Sequence, residues 1–317
     1  MAIPIWKDTE IDLGTAEYSD FVISSRDAGE IYRGRAYRRP GEARVRARIN
    51  DVCADYMEAG LPVMAHLSTT LSYAARSFNY SSSGLVGIVE FVKDYSYDYG
   101  RDYSATTLSS PAVGRADARQ WIMATRRGTG AVTFTLRFKS GGTNTVAASS
   151  VSGDGGAATG VIDLTRYPGL ESVSCGTAEY VVAGDCFRHV LYYVNTHGGW
   201  DSLLLEGASS EADELERFTA GKWTDNSSPE SRGEANYLNK IEKGFTLRTG
   251  WLSDGESSRM HEVLNSTEVY LFDLGTRLMR PVVITDTTTE YRTYRGNGNR
   301  LVNYTINARI AQEMIRR

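Results

Sequence analysis

Ala131-Val132-Thr133-Phe134-Thr135-Leu136-Arg137-Phe138-Lys139 is the stretch on which the reading of the fold turns. Val132, Phe134, Leu136 and Phe138 alternate with Thr133, Thr135, Arg137 and Lys139. An extended chain sends successive side chains to opposite faces, so this segment has one apolar face and one wet face. It reads as a strand in a sheet covered on one side.

Working outward, residues 84–92 and 120–125 read as strands, the second closed by Arg126-Arg127-Gly128. Downstream comes a loop rich in Gly, Ser, Ala and Thr over 140–160, holding a weak strand at 145–148. Strands follow at 161–164, 178–182 and 186–195. Short strands with turn signals roughly every ten residues are the pattern of a β-sandwich. The expectation is a sandwich domain over residues 66–195.

On the N-terminal side, 20–24 is a short apolar run, and 31–39 and 42–49 flank Pro40-Gly41 as a β-hairpin. Ile49, Val52, Cys53, Tyr56 and Met57 then recur at helical spacing and predict a helix over 50–59, stopped by Gly60 and Pro62. In the C-terminal third, 209–218 reads as a short acidic helix, 225–233 as a loop and 245–251 as a strand. Ser253-Asp254-Gly255-Glu256 has capping-box spacing and opens a helix with Met260, Val263 and Leu264 on one face, ending near Asn265. Strands at 268–272, 278–285 and 290–294 lead through Gly296-Asn297-Gly298-Asn299 to a last strand at 301–310. There Val302, Tyr304, Ile306, Ala308 and Ile310 alternate with Asn303, Thr305, Asn307 and Arg309. The fold class is mainly β with short helices (α+β). It divides into a hairpin-plus-helix region at 1–65, able to pack with the C-terminal unit, the sandwich, and an α+β unit at 196–317.

Composition narrows the function. The 317 residues are 41% hydrophobic and 23% charged, an ordinary globular balance, with a net charge of −4. Such a charge sets up no global field for nucleic acid or an anionic membrane. No apolar run approaches a membrane span, and Met1-Ala2-Ile3-Pro4-Ile5-Trp6-Lys7-Asp8 lacks the pattern of a signal peptide, so secretion by that route is not expected. Cys53, Cys175 and Cys186 show no metal spacing; they read as reduced thiols of a protein folded in a cytoplasm, with a Cys175–Cys186 bridge left open.

Chemical motifs are missing. There is no phosphate-binding glycine loop, and Gly153-Asp154-Gly155-Gly156 reads as a loop tip. His66, His189, His197 and His261 form no metal-ligand pair, His189 reading as a satisfied half-buried residue. No Gly-x-Ser-x-Gly elbow marks a nucleophile. The expectation is a protein without catalytic residues, cofactor or metal.

Two contact surfaces stand out instead. Arg33 and Arg35 in Tyr32-Arg33-Gly34-Arg35-Ala36-Tyr37-Arg38-Arg39, with Arg44, Arg46 and Arg48 on the other arm of the hairpin, form a basic strip. It reads as a solvated face guarding an edge strand or, as a contact surface, suits an acidic protein partner or nucleic acid passing close by. Tyr95, Tyr97, Tyr99 and Tyr103 share one parity and suit a neighbouring subunit, a sugar, or packing on their own domain. Gly198, Gly199 and Trp200 read as a structural anchor, a turn beside a buried ring.

One further set of residues carries a resemblance. Tyr192-Tyr193-Val194-Asn195-Thr196-His197-Gly198-Gly199-Trp200-Asp201-Ser202-Leu203-Leu204-Leu205-Glu206-Gly207 is followed by Lys243-Gly244-Phe245-Thr246-Leu247-Arg248-Thr249-Gly250-Trp251-Leu252-Ser253. Glu268-Val269-Tyr270-Leu271-Phe272-Asp273, the run 281–294 and Asn303-Tyr304-Thr305-Ile306 complete it. Over about residues 187–311 the chain resembles tail-associated virion structural proteins of phages and prophages of gut Bacteroidota. The resemblance implies β-sandwich and β-barrel domains, no enzymatic activity, and a distal-tail or hub-like component of a tail or baseplate. Its partners would be further copies of itself in a ring, and other tail proteins, with no membrane and no sequence-specific nucleic-acid binding. It would be made in the host cytoplasm and reside in the virion. The alternative is a carbohydrate-binding or adhesin β-sandwich module.

Overall fold

The computed structural model describes residues 3–4, 9–25, 29–54, 56, 75–82, 85–92, 113–127, 131–152, 157–176, 178–184, 187–195, 199–221, 234–293, 300–311 and 314–316. In chain order the first strands are β1 (Ile3–Pro4), β2 (Glu10–Gly14), β3 (Tyr18–Ser25), β4 (Gly29–Tyr37) and β5 (Val45–Arg48). After α1 (Asn50–Ala54) come β6 (Ala75–Ser82), β7 (Leu85–Val92), β8 (Val113–Ala116), β9 (Trp121–Arg127) and β10 (Thr133–Phe138). Next are β11 (Thr143–Ala147), β12 (Ser149–Ser152), β13 (Ala157–Asp163), β14 (Leu170–Cys175), β15 (Ala178–Val182), β16 (His189–Val194), β17 (Trp200–Leu205), β18 (Ser210–Gly221) and β19 (Glu234–Leu252). The last elements are α2 (Asp254–Asn265), β20 (Val269–Asp273), β21 (Leu278–Thr293), β22 (Arg300–Ile310) and β23 (Met314–Arg316).

The chain clusters into two compact units. One gathers Met1–Asp185, Tyr193–Leu203 and Arg259–Thr267; the other gathers Cys186–Tyr192, Leu204–Ser258 and Glu268–Arg317. This differs from the divisions expected at 65/66 and 195/196. Strands β6 and β7 hydrogen-bond into the N-terminal sheet, whose order is β1-β7-β6-β3-β4, so they are not part of the sandwich.

The sandwich itself is present in the first unit. A five-stranded sheet, β11-β10-β14-β15-β8, shares one core with a three-stranded sheet, β12-β13-β9. Phe134 and Leu136 of β10 are fully buried beside Ile122 of β9 and Val173 of β14, while Thr133, Thr135 and Arg137 are exposed. The alternation on which the reading turned therefore sets the core face. Strands β11, β12 and β13 occupy the segment expected to be mostly loop. Their small polar residues give little alternation, and β11 is almost wholly exposed, so it is held by its ladder to β10 (Phe134↔Val146, Leu136↔Asn144). Gly141, at φ +87°, closes that hairpin in a backbone conformation side chains disfavour.

The expected hairpin around Pro40-Gly41 does not form. Strand β4 pairs with β3, and β5 pairs with β2 in a separate two-stranded sheet. Helix α1 starts where expected, with Cys53 buried; Tyr56, within the expected continuation to 59, is in a turn, its N–H donating to the Cys53 carbonyl at 3.1 Å, and the rest of that continuation, with Gly60 and Pro62, lies outside the described residues.

In the eight-stranded sheet the order is β17-β16-β20-β21-β22-β19-β18, with β23 also on β19. Val302, Tyr304, Ile306 and Ala308 of β22 are buried, and Ala308 and Ile306 lie opposite Phe245 and Leu247 of β19. The expected acidic helix at 209–218 is instead strand β18. Its Glu, Ala and Leu residues favour a helix only mildly, a few tenths of a kcal/mol each (about 0.5 at most). The twelve-residue strand's antiparallel ladder to β19 (Ser210↔Thr246 through Gly221↔Glu234) overrides that preference. Helix α2 carries the expected capping box: Ser253 N–H donates to Glu256 Oε2 at 2.9 Å, and Glu256 N–H donates to Ser253 Oγ at 3.4 Å. Met260 and Val263 are buried, but Leu264, grouped with them from the sequence, is 40% exposed.

Phe134→Ala is expected to destabilise by about 3–5 kcal/mol, and Thr135→Ala on the opposite face by less than about 0.5 kcal/mol. Urea denaturation of the two variants measures both.

Candidate functional site

The arginines singled out in the sequence fall into two groups on different sheets. Arg33 and Arg35 lie on β4; Arg46 and Arg48 alternate on β5 with buried Val45 and Ala47, and Arg44 precedes them. The parity expected for Arg44, Arg46 and Arg48 is observed, and all three are exposed. The strip is not bare positive charge. Arg33 reaches Glu30 at 2.8 Å, Arg35 reaches Asp20 at 2.6 Å, Arg46 reaches Glu10 at 3.8 Å, and Arg44 pairs with Asp12. Hydrogen bonds from the guanidinium groups hold Asp12, Asp20 and Glu30 below the usual carboxylate range. Local carboxylates thus offset most of the positive field that would draw in nucleic acid or an acidic partner.

The outer face of the N-terminal sheet is more informative. Register places Tyr18 opposite Tyr37, Asp20 opposite Arg35 and Val22 opposite Arg33; Val22 then neighbours Ser81, and Ser81 neighbours Val86. These residues share one face, and the opposite face buries Phe21, Ile23, Phe78 and Phe91 in the core. On the outer face Val86 is 79% exposed, Ile88 70%, Tyr37 64% and Tyr18 50%. Arg35 lies 4.7 Å over the Tyr18 ring, and the Tyr18 and Tyr37 centroids are 6.2 Å apart. A hollow of 310 Å³ lined by Asp20, Val22, Arg33, Ser81, Leu85 and Val86 sits on the same sheet. Burying a Val or Ile side chain contributes about 1.5–3 kcal/mol, whereas an exposed ion pair contributes about 0–1 kcal/mol. If this face is covered, its apolar residues supply the larger share. Val86 and Ile88 were not singled out in the sequence, although Leu85-Val86-Gly87-Ile88-Val89 is apolar at both parities, which means the second face also needs cover.

A second cluster, entirely within the first unit, is buried. Asn195 Nδ2 donates to Asp201 Oδ2 at 2.7 Å, and Tyr180 Oη donates to Asp201 Oδ1 at 3.1 Å. Arg259 stacks 4.6 Å over the Tyr180 ring and donates to the Ser202 carbonyl at 3.3 Å. A side chain at Gly114 would come within 2.7 Å of that guanidinium and force it to move. Burial pushes the Tyr180 hydroxyl up to about 12, and Asp201 adds to the shift. The same causes, burial first, push Tyr193 well above its ordinary value. Tyr180, Asp201 and Arg259 are each at most 2% exposed, so the cluster works as a clamp between the β16–β17 turn, the sandwich and α2. The anchor reading suits the same place. Trp200 is fully buried, its N–H donating to Thr125 Oγ1 at 3.2 Å, and Gly199 N–H donates to Asn195 Oδ1 at 2.9 Å. Nothing in the sequence linked Arg259 to Asp201, because 58 residues separate them.

The remaining candidates divide simply. Tyr95, Tyr97, Tyr99, Tyr103, Gly198, His66, His197 and Cys186 lie outside the described residues. His189 is buried against Ser209 Oγ at 3.0 Å, and burial lowers its pKa. Cys53 is buried and Cys175 half-buried, and burial pushes the Cys175 thiol up. Among the described residues no helix is long and apolar enough to cross a membrane.

Tyr180 is neutral when folded and ionises near its ordinary value of 10 when unfolded, so above that pH the unfolded state holds fewer protons. Stability is expected to fall between about pH 10 and about 12, less steeply in Tyr180→Phe, as thermal melts across that range will read. The Tyr193 hydroxyl is buried with no hydrogen-bond partner among the described residues, so Tyr193→Phe is expected to be neutral or stabilising by about 1 kcal/mol in chemical denaturation.

No protein-family model and no curated protein sequence matches the chain.

Proposed function

We propose that the chain is a structural subunit of a phage-type tail or baseplate, distal-tail or hub-like in station, working by protein–protein assembly and not by catalysis. The observation that carries this reading is the outer face of the N-terminal sheet, where Val86, Ile88, Tyr18 and Tyr37 stand in solvent. Contiguous exposed apolar residues rimmed by polar ones mark protein-binding surfaces. The resemblance of residues 187–311 to tail-associated virion proteins supplies the setting, a virion assembled in the host cytoplasm from copies of this chain and other tail proteins. A second reading, a carbohydrate-binding or adhesin module, draws on the exposed Tyr18–Tyr37 pair, since paired rings can stack on a sugar.

Purified protein is expected to form multimers in sedimentation velocity, with closed rings in electron micrographs. Val86→Glu with Ile88→Glu is expected to shift it to monomer while its melting temperature stays within a few degrees. A wild-type monomer at every concentration, with glycan-array binding lost in Tyr18→Ala, would favour the sugar-binding reading.

A further inference from the structure

Strands β4 and β18 are the outermost strands of their sheets. Among the described residues β4 is laddered only to β3 and β18 only to β19. All of β18 except Phe218 is exposed, and every β4 residue is exposed or half-exposed. Long open edges of this kind are places where another strand adds.

The side chains select which strand. On β18, Glu211 and Asp213 are held by Arg188 and Lys243, whereas Glu214 and Glu216, on the opposite face, make no ion pair among the described residues. Pairing β18 with a second β18 would set these carboxylates among carboxylates. Pairing β4 with a second β4 would set Arg33 and Arg35 among arginines. Like charges directly opposite each other destabilise a ladder, so both self-pairings are disfavoured. Pairing β4 with β18 removes both conflicts. In the antiparallel register with Arg33 opposite Glu216, Arg35 falls opposite Glu214, and Tyr32 opposite Arg217 on the other face. The exposed Tyr37 falls opposite Ala212, beside a hollow of 470 Å³ lined by Ala212, Glu214, Gly244 and Thr246. Among the described residues the carboxylates held by Arg33 and Arg35 are the exposed Glu30 and Asp20, pairs that water screens and that a second carboxylate can share.

We propose that β4 of one copy adds antiparallel to the open edge of β18 of the next copy, with Arg33 against Glu216 and Arg35 against Glu214. This rests on the assembly reading and names its contact. Because the two edges differ, the contact is head to tail, and it closes into a ring where the rotation between copies permits.

The test is charge reversal read by sedimentation velocity on the full chain, with circular dichroism confirming that each variant folds. Arg33→Glu with Arg35→Glu, and separately Glu214→Arg with Glu216→Arg, are each expected to weaken self-association at least tenfold. Combining all four substitutions is expected to restore it. Ala36→Cys with Asp213→Cys is expected to give intermolecular disulfides, which a parallel pairing would give instead with Ala36→Cys and Arg217→Cys. A multimer indifferent to both reversals, or a combined variant that stays dissociated, overturns the strand pairing and leaves assembly through other faces standing. A wild-type chain that never associates overturns the assembly reading itself.

Discussion

A β-strand sends successive side chains to opposite sides, so each sheet must find cover for whichever face carries its apolar residues. That constraint organises the whole chain. In the sandwich, two sheets cover each other through Phe134, Leu136 and Val173, and the threonines of β10 stay wet. In the N-terminal sheet the inner face buries Phe21, Ile23, Phe78 and Phe91, but the outer face keeps Val86 and Ile88 in water. Under the proposed assembly, this uncovered side and the open β4 edge are where another surface meets the sheet.

Electrostatics play two distinct parts. On the surface, arginines and carboxylates are interleaved, and each exposed pair is worth little to the isolated chain. In the proposed pairing between copies their value lies in discrimination, since like charges across a ladder reject the wrong neighbour and opposite charges admit the right one. Inside the first unit, Asp201, Arg259 and Tyr180 are withdrawn from water together. Removing one member of such a group leaves a buried charge unmatched, at a cost of about 3–5 kcal/mol, so the cluster specifies how the Gly199–Trp200 turn is seated.

Legibility in the sequence followed the same physics. Where one face is buried and the other wet, as in β10 and β22, alternation exposed the strand directly. The Ser253–Glu256 capping box was equally plain, because its hydrogen bonds span only three residues. Strand β18 was not legible and β11 only as a weak strand at 145–148, since exposure on both faces erases most alternation, and β18 kept only its helix-favouring composition. Partnership was hidden too: β4 and β5 looked like two arms of one hairpin, yet each found an earlier strand, β3 and β2. Of the candidate site, Arg33, Arg35, Arg44, Arg46 and Arg48 could be read as exposed, but their neutralising carboxylates depended on register that no single sequence displays.

The account rests on strands that one copy leaves open and another closes. Hydrogen–deuterium exchange followed over a wide range of protein concentration tests this most directly, because backbone amides report pairing whatever the side chains do. The account predicts that protection in β4 and β18 rises as the protein associates, while β10 and β22 stay protected throughout. Exchange in β4 and β18 that is the same in dilute and concentrated samples would contradict it.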